Sequence, residues 1–241
     1  RVIAAGGGNA SGYFCDADTC IKAMRGIRMD GNSTVYITLN GIKDECHSRQ
    51  QRNCFVRIAK PNTSDSDIYC YDWLMVDMDP VRAAGTSSSE EQIGYAKGKC
   101  NEVYAFMKRT GFDDPIVAFS GNGAHLLYSI GLAMNDENKQ LVKDCLAVLS
   151  LFFSDDKVDI DTANFNPARA CKLYGTLAQK GANTPERPHR MSYIVQAPAN
   201  PKQNDKALLQ KLAGYLPVPD TPPGYNRFNP REFDLDQWLH E

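Results

Sequence analysis

The order of strands and helices in the middle of the chain restricts its fold more than any other feature of the sequence. Two overlapping Ser-x-x-Glu capping boxes in residues 87–91 precede apolar residues at helical spacing, and Gly111 follows them. This pattern predicts a long helix that ends at Gly111. Asn135 is placed to cap a second long helix that runs through Phe152. The predicted buried stripe of the second helix comprises Leu141, Cys145, Val148 and Phe152.

Four strands are predicted around these two helices. Residues 71–77 form an apolar segment typical of a central strand, residues 115–120 and 124–132 form two more strands, and a short strand follows the second helix. The turn Gly121-Asn122-Gly123 joins the middle two strands, because glycine permits the positive φ of a tight hairpin. The order strand, helix, strand, strand, helix, strand predicts an α/β (α+β) fold in which helices cover one face of an RRM-like sheet.

The segment before this unit is predicted to contain a short helix and a strand. The helix covers residues 16–26, with apolar spacing through Ile21, Met24 and Ile27. The strand covers residues 34–39, which are β-branched and aromatic, and it ends at the turn Asn40-Gly41. We therefore assign residues 1–70 to an N-terminal α/β subdomain.

The segment after it is assigned to a third part, residues 201–241. Residues 207–215 have the pattern of a short amphipathic helix, and residues 217–224 are a proline-rich linker by composition. Residues 233–241 are either a tail that docks back or the start of a further domain. The middle part then spans residues 71–200.

Composition argues against a membrane protein. No apolar run approaches the ~20 residues of a membrane span, so we expect a soluble, cytoplasmic protein without a membrane partner. The chain starts with Arg1 and lacks a secretory signal pattern, which suggests a trimmed fragment. The eight cysteines contain no Cys-x2-Cys pair, so reduced thiols are favoured over disulfides. The same argument disfavours a zinc site built from Cys15, Cys20, Cys46 with His47, and Cys54.

Charge is unevenly distributed along the chain. The formal net charge is −2, which is not typical of a nucleic-acid-binding protein, because phosphates must be neutralised for binding. Between residues 169 and 190, however, the sole acid is Glu186, so this stretch forms a local basic segment. Its cations are Arg169, Lys172, Lys180, Arg187 and Arg190.

The end of the central strand carries two acids. Asp77 and Asp79 alternate along the strand and therefore lie on one face, directly before Pro80. Two adjacent carboxylates repel each other unless a cation neutralises them, and paired Mg²⁺ or Mn²⁺ ions do so in phosphoryl transfer. An Asp-x-Asp pair alone is also common at solvated strand ends, so this motif needs support from others.

The hairpin turn is the second candidate motif. Backbone amides in the glycine-rich turn after Ser120 can cradle phosphate oxygens, and His125 on the next strand can donate to them. The alternative is an ordinary hairpin with a partly buried histidine.

The third motif combines acids with a lysine. Asp159 or Asp161 can complete a three-carboxylate site, and a strand can direct Lys172 at a triphosphate. The following loop places Arg187, His189 and Arg190 within four residues, although such loops are often merely solvated.

Taken in this order, these stretches resemble the archaeo-eukaryotic primase superfamily, in particular the primase-polymerase domains of phage and plasmid replication proteins. The shared features are a strand-borne Asp-x-Asp, a Ser-Gly-x-Gly-x-His turn, and a later Asp before Asn-Pro-x-Arg and Lys-Leu-Tyr-Gly-Thr. The resemblance covers residues 72 to 193 and implies an archaeo-eukaryotic primase fold, with residues 71–200 as its RRM-like catalytic subdomain.

The resemblance also implies roles for individual residues. In the related sequences, the spacing to Asn166-Pro167 favours Asp161 over Asp159 as the third acid. The catalytic metal ligands are then Asp77, Asp79 and Asp161. The implied nucleotide contacts are Ser120, Gly121, Gly123, His125, Lys172 and Arg82. The implied nucleic-acid contacts are Arg169, Lys180, Arg187, His189 and Arg190.

The function implied is that of a template-dependent DNA primase-polymerase using Mg²⁺ or Mn²⁺ in the replication of a phage or mobile element. Its partners would be a single-stranded DNA template, a primer strand, dNTP or NTP, and a helicase domain that follows this segment, in a bacterial or phage-infected cell. One alternative is a non-catalytic RRM-like module that binds single-stranded nucleic acid through exposed aromatic residues. Another is a metal-dependent nuclease, which is disfavoured as a rolling-circle initiator because no His-x-His occurs. The choice between NTP and dNTP, and between priming and extension, stays open.

Overall fold

A computed structural model gives the structure of the protein and describes residues 2–5, 10–26, 34–57 and 63–217. The strands are β1 (Val2–Ala5), β2 (Ala10–Gly12), β3 (Thr34–Thr38), β4 (Val56–Arg57), β5 (Cys70–Pro80), β6 (Ile116–Phe119), β7 (Ala124–Ala133), β8 (Val158–Ile160), β9 (Ala170–Lys172), β10 (Leu177–Ala178), β11 (Arg190–Met191) and β12 (Tyr193–Gln196). The α-helices are α1 (Ala17–Arg25), α2 (Glu90–Thr110), α3 (Asp136–Phe153) and α4 (Lys206–Ala213). Short 3₁₀ helices cover Asp44–Ser48, Asp65–Asp67 and Thr162–Phe165. Ile27, the predicted tail and all of the predicted linker except Pro217 lie outside the described residues.

The predicted unit of four strands and two helices is confirmed as β5-α2-β6-β7-α3-β8. These strands and β12 form one sheet in the order β12-β6-β7-β5-β8, with every neighbouring pair antiparallel. As predicted, β5 is an interior strand, between β7 and β8. The mixed α/β fold class is therefore confirmed, and the sheet continues beyond the predicted unit because β12 pairs with β6.

Both long helices form where their caps were predicted. In α2 the capping box uses Ser89 and Gln92 rather than the predicted Ser-x-x-Glu pairs, and Gly111 ends the helix with a φ of 110°. In α3 the side chain of Asn135 accepts a hydrogen bond from the amide of Asn138 at 2.8 Å. Among the described residues no helix is long and apolar enough to cross a membrane.

One detail of the predicted buried stripe of α3 is wrong. Phe152 is 46% exposed, and its ring contacts Phe106 and Tyr215. Leu141, Cys145 and Val148 are buried as predicted. Helix α1 forms over the predicted range, but it has no buried residue, and Ile21 is 48% exposed.

The sheet around β5 has one face covered by helices and one face that carries the polar side chains. Leu74, Val76 and Met78 are fully buried in the core formed with α2, α3 and α4. Asp77 and Asp79 alternate with them and therefore point to the opposite face. The alternation of side chains along β5 thus gives the sheet one packed face and one face that carries the candidate site residues.

A second sheet lies against the open face, in the order β4-β2-β1-β3-β9. Strand β9 comes from the middle of the chain and pairs antiparallel with β3, so that Tyr36 lies opposite Lys172. A small apolar cluster of Met75, Leu127 and Cys171, joined by Ile37, Leu39 and Trp73, fills part of the space between the sheets. The division of the chain at residues 70 and 200 stays a prediction, and β9 shows that hydrogen bonds cross the first boundary.

A buried asparagine fastens the two sheets together beside this cluster. The Asn40 side chain donates to the carbonyl oxygen of Pro167 at 2.9 Å and accepts from the amide of Asp72 at 3.0 Å. Because buried polar groups are costly when left without partners, these bonds hold the end of β3 in one place. The space that remains between the sheets contains the candidate site.

Candidate active site

The predicted acids lie near the end of β5 and line shared cavities. Asp77 and Asp79 share the open face, and Asp159 on β8 lies directly opposite Asp79 in the antiparallel register. The amide of Asp161 donates to the carbonyl oxygen of Asp77 at 3.0 Å, which places Asp161 beside Asp77. Asp77, Asp79 and Asp161 all line one cavity of about 750 Å³ between the two sheets.

Asp159, the alternative candidate for the third metal ligand, lies beside this cavity and not in it. Its carboxylate accepts from the Ser154 hydroxyl at 3.1 Å, and it lines a neighbouring cavity of about 330 Å³ that also touches the other three acids. It does not line the larger cavity. The structure therefore places Asp161, rather than Asp159, with the predicted nucleotide contacts.

Each of the three acids has a basic partner. Asp77 pairs with His125 at 3.2 Å, Asp79 with Arg82 at 2.8 Å, and Asp161 with Arg169 at 2.6 Å. Within the part of the chain that the structure describes, no three His, Cys, Asp or Glu side chains converge closely enough to hold a metal ion. The acids are thus neutralised within the protein by separate cations.

The imidazole of His125 is buried and held at both ring nitrogens. Nε2 faces Asp77, and Nδ1 lies 2.7 Å from the hydroxyl of Tyr174. Burial by itself lowers the pKa of His125, but the Asp77 carboxylate outweighs it and raises that pKa to about 10. His125 is therefore a cation at neutral pH and donates a hydrogen bond from each nitrogen.

The pKa values of the two acids on β5, Asp77 and Asp79, are shifted in opposite directions. Burial opposes ionisation of Asp77, yet attraction to His125, with smaller help from Arg169 and Arg82, holds the pKa of Asp77 below its usual value. Burial and repulsion from Asp77 raise the pKa of Asp79, although Arg82 counteracts them. A cation bound beside Asp79 would lower that pKa, because it would stabilise the ionised carboxylate.

The turn after Ser120 closes the end of the cavity next to the acids. The Ser120 hydroxyl accepts from the amide of Gly123 at 2.9 Å and lines the cavity. A β-carbon on Gly123 would lie 2.5 Å from the carbonyl oxygen of Met78, and one on Gly121, whose φ is 99°, would lie 2.3 Å from Ala178. The two glycines therefore do not line the cavity themselves. They permit close packing that holds Ser120 next to β5.

Lys172 lines the cavity from the second sheet. Its ammonium donates to the Thr176 hydroxyl at 2.7 Å and to the carbonyl oxygen of Leu177 at 2.9 Å. Burial lowers the pKa of Lys172 to about 8, so its charge is easily lost above neutral pH.

The remaining predicted cations divide into two groups. Lys180 and Arg169 line the cavity, together with Arg82. Arg187, His189 and Arg190 do not. Arg187 donates to the carbonyl oxygen of Ser87, Arg190 pairs with Glu90 at the start of α2, and His189 contacts Gly181. In this structure Arg187 and Arg190 hold a loop against the start of α2, His189 bonds within that loop, and none of the three lines the larger cavity.

Some residues of the cavity were not predicted. Thr34 and Tyr36 line it from β3, and Asn164 lines it from the 3₁₀ helix after Asp161. Alternation along residues 34–38 suggests that Thr34 and Tyr36 share a face. It does not reveal what they face, because the β3–β9 pairing joins distant parts of the chain.

The donor chemistry of the site fits Mg²⁺ or Mn²⁺ in part. Carboxylate oxygens are the ligands that these ions prefer, and Asp77, Asp79 and Asp161 supply them to the cavity, which Asp65 also lines. The three predicted ligands nevertheless pair with different basic residues in this structure. An ion bound by these acids would compete with those basic partners.

Comparison with known proteins gives distant structural likenesses. No family model matches the chain, and no curated protein matches it. The archaeo-eukaryotic primase (AEP) domain of the cyanophage S-2L primase-polymerase is similar at 14% identity and a TM-score of 0.42, over 75% of this chain and 70% of that one. The primase RepB′ is similar at 13% identity and a TM-score of 0.37, over 76% of this chain and 44% of that one.

Proposed function

We propose that the protein is a template-dependent DNA primase-polymerase, a divalent-metal-dependent nucleotidyltransferase that joins nucleoside triphosphates to a 3′-hydroxyl. One observation carries the proposal. Asp77 and Asp79, Asp161, the Ser120–His125 turn and Lys172 come from separate parts of the chain and line a single cavity. These are the same motifs in which the sequence resembles archaeo-eukaryotic primases.

Asp77, Asp79 and Asp161 would hold Mg²⁺ or Mn²⁺. When bound, such an ion lowers the pKa of the attacking hydroxyl and stabilises negative charge on the phosphoryl group. The acids are suited to this role because all three line one cavity, with Asp77 and Asp79 on the same face of β5.

Three other side chains would hold the triphosphate. His125 is a buried cation whose two ring nitrogens are engaged by Asp77 and Tyr174, so it would attract the triphosphate through its positive charge and does not act as a general base. The Ser120 hydroxyl and the Lys172 ammonium line the same cavity. At about 750 Å³ the cavity lies within the range of roughly 300–1,000 Å³ that is usual for small-molecule sites.

The remaining features of the proposal follow from the function. A single-stranded DNA template and a primer strand would reach the acids from the open side of the cavity, where Lys180 and Arg169 are exposed. Replication of a phage or mobile element, a cytoplasmic location and a helicase domain further along the chain belong to the same proposal.

Primer extension tests the proposal directly. The protein is incubated with a single-stranded template, Mn²⁺ and labelled dNTP or NTP, with and without a primer. Asp77→Asn and Asp79→Asn remove charge with little change in shape, and we expect each to reduce incorporation by roughly 10²–10³-fold or more.

Asp159→Asn is the matched control, because it removes the same charge from the acid that lies outside the larger cavity. We expect it to reduce incorporation far less. Wild-type rates in folded Asp77→Asn and Asp79→Asn proteins would contradict the proposal, and shortening of the template would indicate a nuclease instead.

A further inference from the structure

The three ion pairs of the acidic site differ in how firmly the basic partner is held. Arg82 is nearly buried, with a side chain that is 4% exposed, and besides Asp79 it donates to the carbonyl oxygens of Thr86 and Pro80. His125 is 5% exposed and also bonds to Tyr174. These two cations have several partners and would leave buried groups unsatisfied if they moved.

Arg169 differs from both. Its side chain is 44% exposed, and among the residues that the structure describes, Asp161 is the one hydrogen-bond acceptor of its guanidinium. An exposed pair of this kind contributes little to stability and separates readily. Of the three basic partners, Arg169 is the one that can leave at low cost.

Asp161 uses its two oxygens differently. Oδ1 accepts from the amide of Ala163 at 2.8 Å and caps the 3₁₀ helix Thr162–Phe165, which fixes the carboxylate. Oδ2 binds Arg169 at 2.6 Å. The carboxylate can therefore exchange its partner at Oδ2 without losing the position that the cap gives it.

We propose that Arg169 is a displaceable counter-ion. It pairs with Asp161 until a divalent cation binds there, and it then pairs with a phosphate group. The inference rests on the proposed function and explains why three acids share a cavity without converging. Arg169 and a cation compete for Asp161, and their like charges repel. The released guanidinium still lies at the same cavity, and its planar fork suits a phosphate better than an ammonium does.

The consequence is reciprocal coupling between cation and phosphate. A phosphate that captures Arg169 frees Asp161 for the cation, and a cation at Asp161 frees Arg169 for the phosphate. By linkage each ligand raises the affinity of the other by the same factor. Arg169 is a positioning residue in this scheme, and its effect is measurable without catalysis.

Mn²⁺ affinity tests the first step. Free Mn²⁺ is measured by electron paramagnetic resonance in titrations of the 241-residue chain without nucleotide. We expect Arg169→Gln to bind Mn²⁺ roughly threefold more tightly than wild type, because the competing cation is gone. Arg169→Lys keeps the charge and should stay close to wild type, and Asp161→Asn should bind more weakly. Arg109→Gln removes the same charge from an exposed position on α2 and should change nothing.

Two further titrations identify the source of the phosphate. One adds a non-hydrolysable nucleoside triphosphate, and the other adds a single-stranded oligonucleotide without a triphosphate. Whichever of the two ligands pairs with Arg169 should increase the Mn²⁺ affinity of wild type several-fold more than it increases the Mn²⁺ affinity of Arg169→Gln. Equal tightening in both proteins by both additions would overturn the exchange of Arg169 onto phosphate.

The outcomes separate this inference from the proposed function. If Asp161→Asn weakens Mn²⁺ binding while Arg169→Gln matches wild type and Arg109→Gln, the counter-ion role is wrong and the metal site stands. If Asp161→Asn also binds Mn²⁺ like wild type, Asp161 is not a ligand, and both the inference and the assignment of the third acid fail.

Discussion

At the scale of single residues, Lys172 shows how burial sets the working range of a charge. A lysine in water keeps its proton well above pH 9, but Lys172 is 6% exposed and burial lowers its pKa to about 8. Below that pH the side chain is a cation in the candidate nucleotide pocket. Above it, the same side chain is a neutral amine.

This shift predicts that nucleotide affinity depends on pH. Without divalent cations, wild-type affinity for a triphosphate should be full below about pH 8 and should fall as the pH rises through that value, since Lys172 loses the charge that attracts phosphate. Lys172→Met should bind about tenfold more weakly at pH 7 and show no such fall. Fluorescence titration with a labelled nucleotide between pH 7 and 9.5 measures both. A wild-type affinity that stays constant up to pH 9.5 would show that Lys172 does not contact the nucleotide.

Residue-level prediction from the sequence succeeded where neighbours along the chain decide the outcome. Asp77 and Asp79 share a face because alternation in a strand requires it. Arg187 and Arg190 bind Ser87, Ser88 and Glu90, about a hundred residues away along the chain, while their contacts with a nucleic acid stay a prediction. No local pattern could indicate those partners.

At the scale of elements, the hairpin between β6 and β7 controls the position of the acids. Gly123 packs so closely against the end of β5 that its missing side chain leaves room for the carbonyl oxygen of Met78. Asn122 holds the same turn from the other side, since its side-chain oxygen accepts from the amide of Ser88 at 2.9 Å. The turn therefore packs against β5 on one side and against the segment before α2 on the other.

Gly123→Ala should destabilise the protein by about 1–3 kcal/mol, because either the turn or the strand with Asp79 must shift to relieve the contact. Gly98→Ala is the matched control. Gly98 lies inside α2 with nothing near its missing side chain, so alanine should stabilise the protein by about 1 kcal/mol. Urea unfolding measures both free energies. Equal free energies of unfolding for the two variants would show that the turn moves away from the added methyl group at no measurable cost in stability.

Elements with strong local signals were predictable, whereas the pairing of short strands with distant strands was not. Helices α2 and α3 form where caps and apolar spacing indicate them. Strands β9 and β12 are 3 and 4 residues long and owe their existence to partners on distant strands, β3 and β6. The cavity between the sheets depends on that pairing. Its wall formed by Tyr36 could therefore not be derived from the sequence.

At the scale of the whole molecule, the two sheets are joined through β9. This strand follows β8 of the first sheet along the chain and hydrogen-bonds to β3 of the second. Trp73 packs with the apolar cluster between the sheets. Separation of the sheets would break the hydrogen bond between Asn40, after β3, and Asp72 on β5, and would expose Trp73 at the same time.

The connection of the two sheets through β9 predicts a single cooperative unfolding transition. Trp73 and Trp238 are the two tryptophans of the chain, so Trp238→Phe leaves Trp73 as the reporter. We expect the Trp73 emission and the far-ultraviolet circular dichroism to change at the same urea concentration. A red shift of Trp73 that precedes the loss of circular dichroism would show that the sheets separate first.

The pairing of β3 with β9 also has a consequence for biosynthesis. A ribosome releases Tyr36 long before it adds Lys172, so the edge of β3 has no neighbour on that side during most of translation. Contacts between residues so far apart close slowly and expose strand edges to aggregation. Yield in cells should therefore depend on translation speed and chaperone supply more than the stability of the finished protein would suggest.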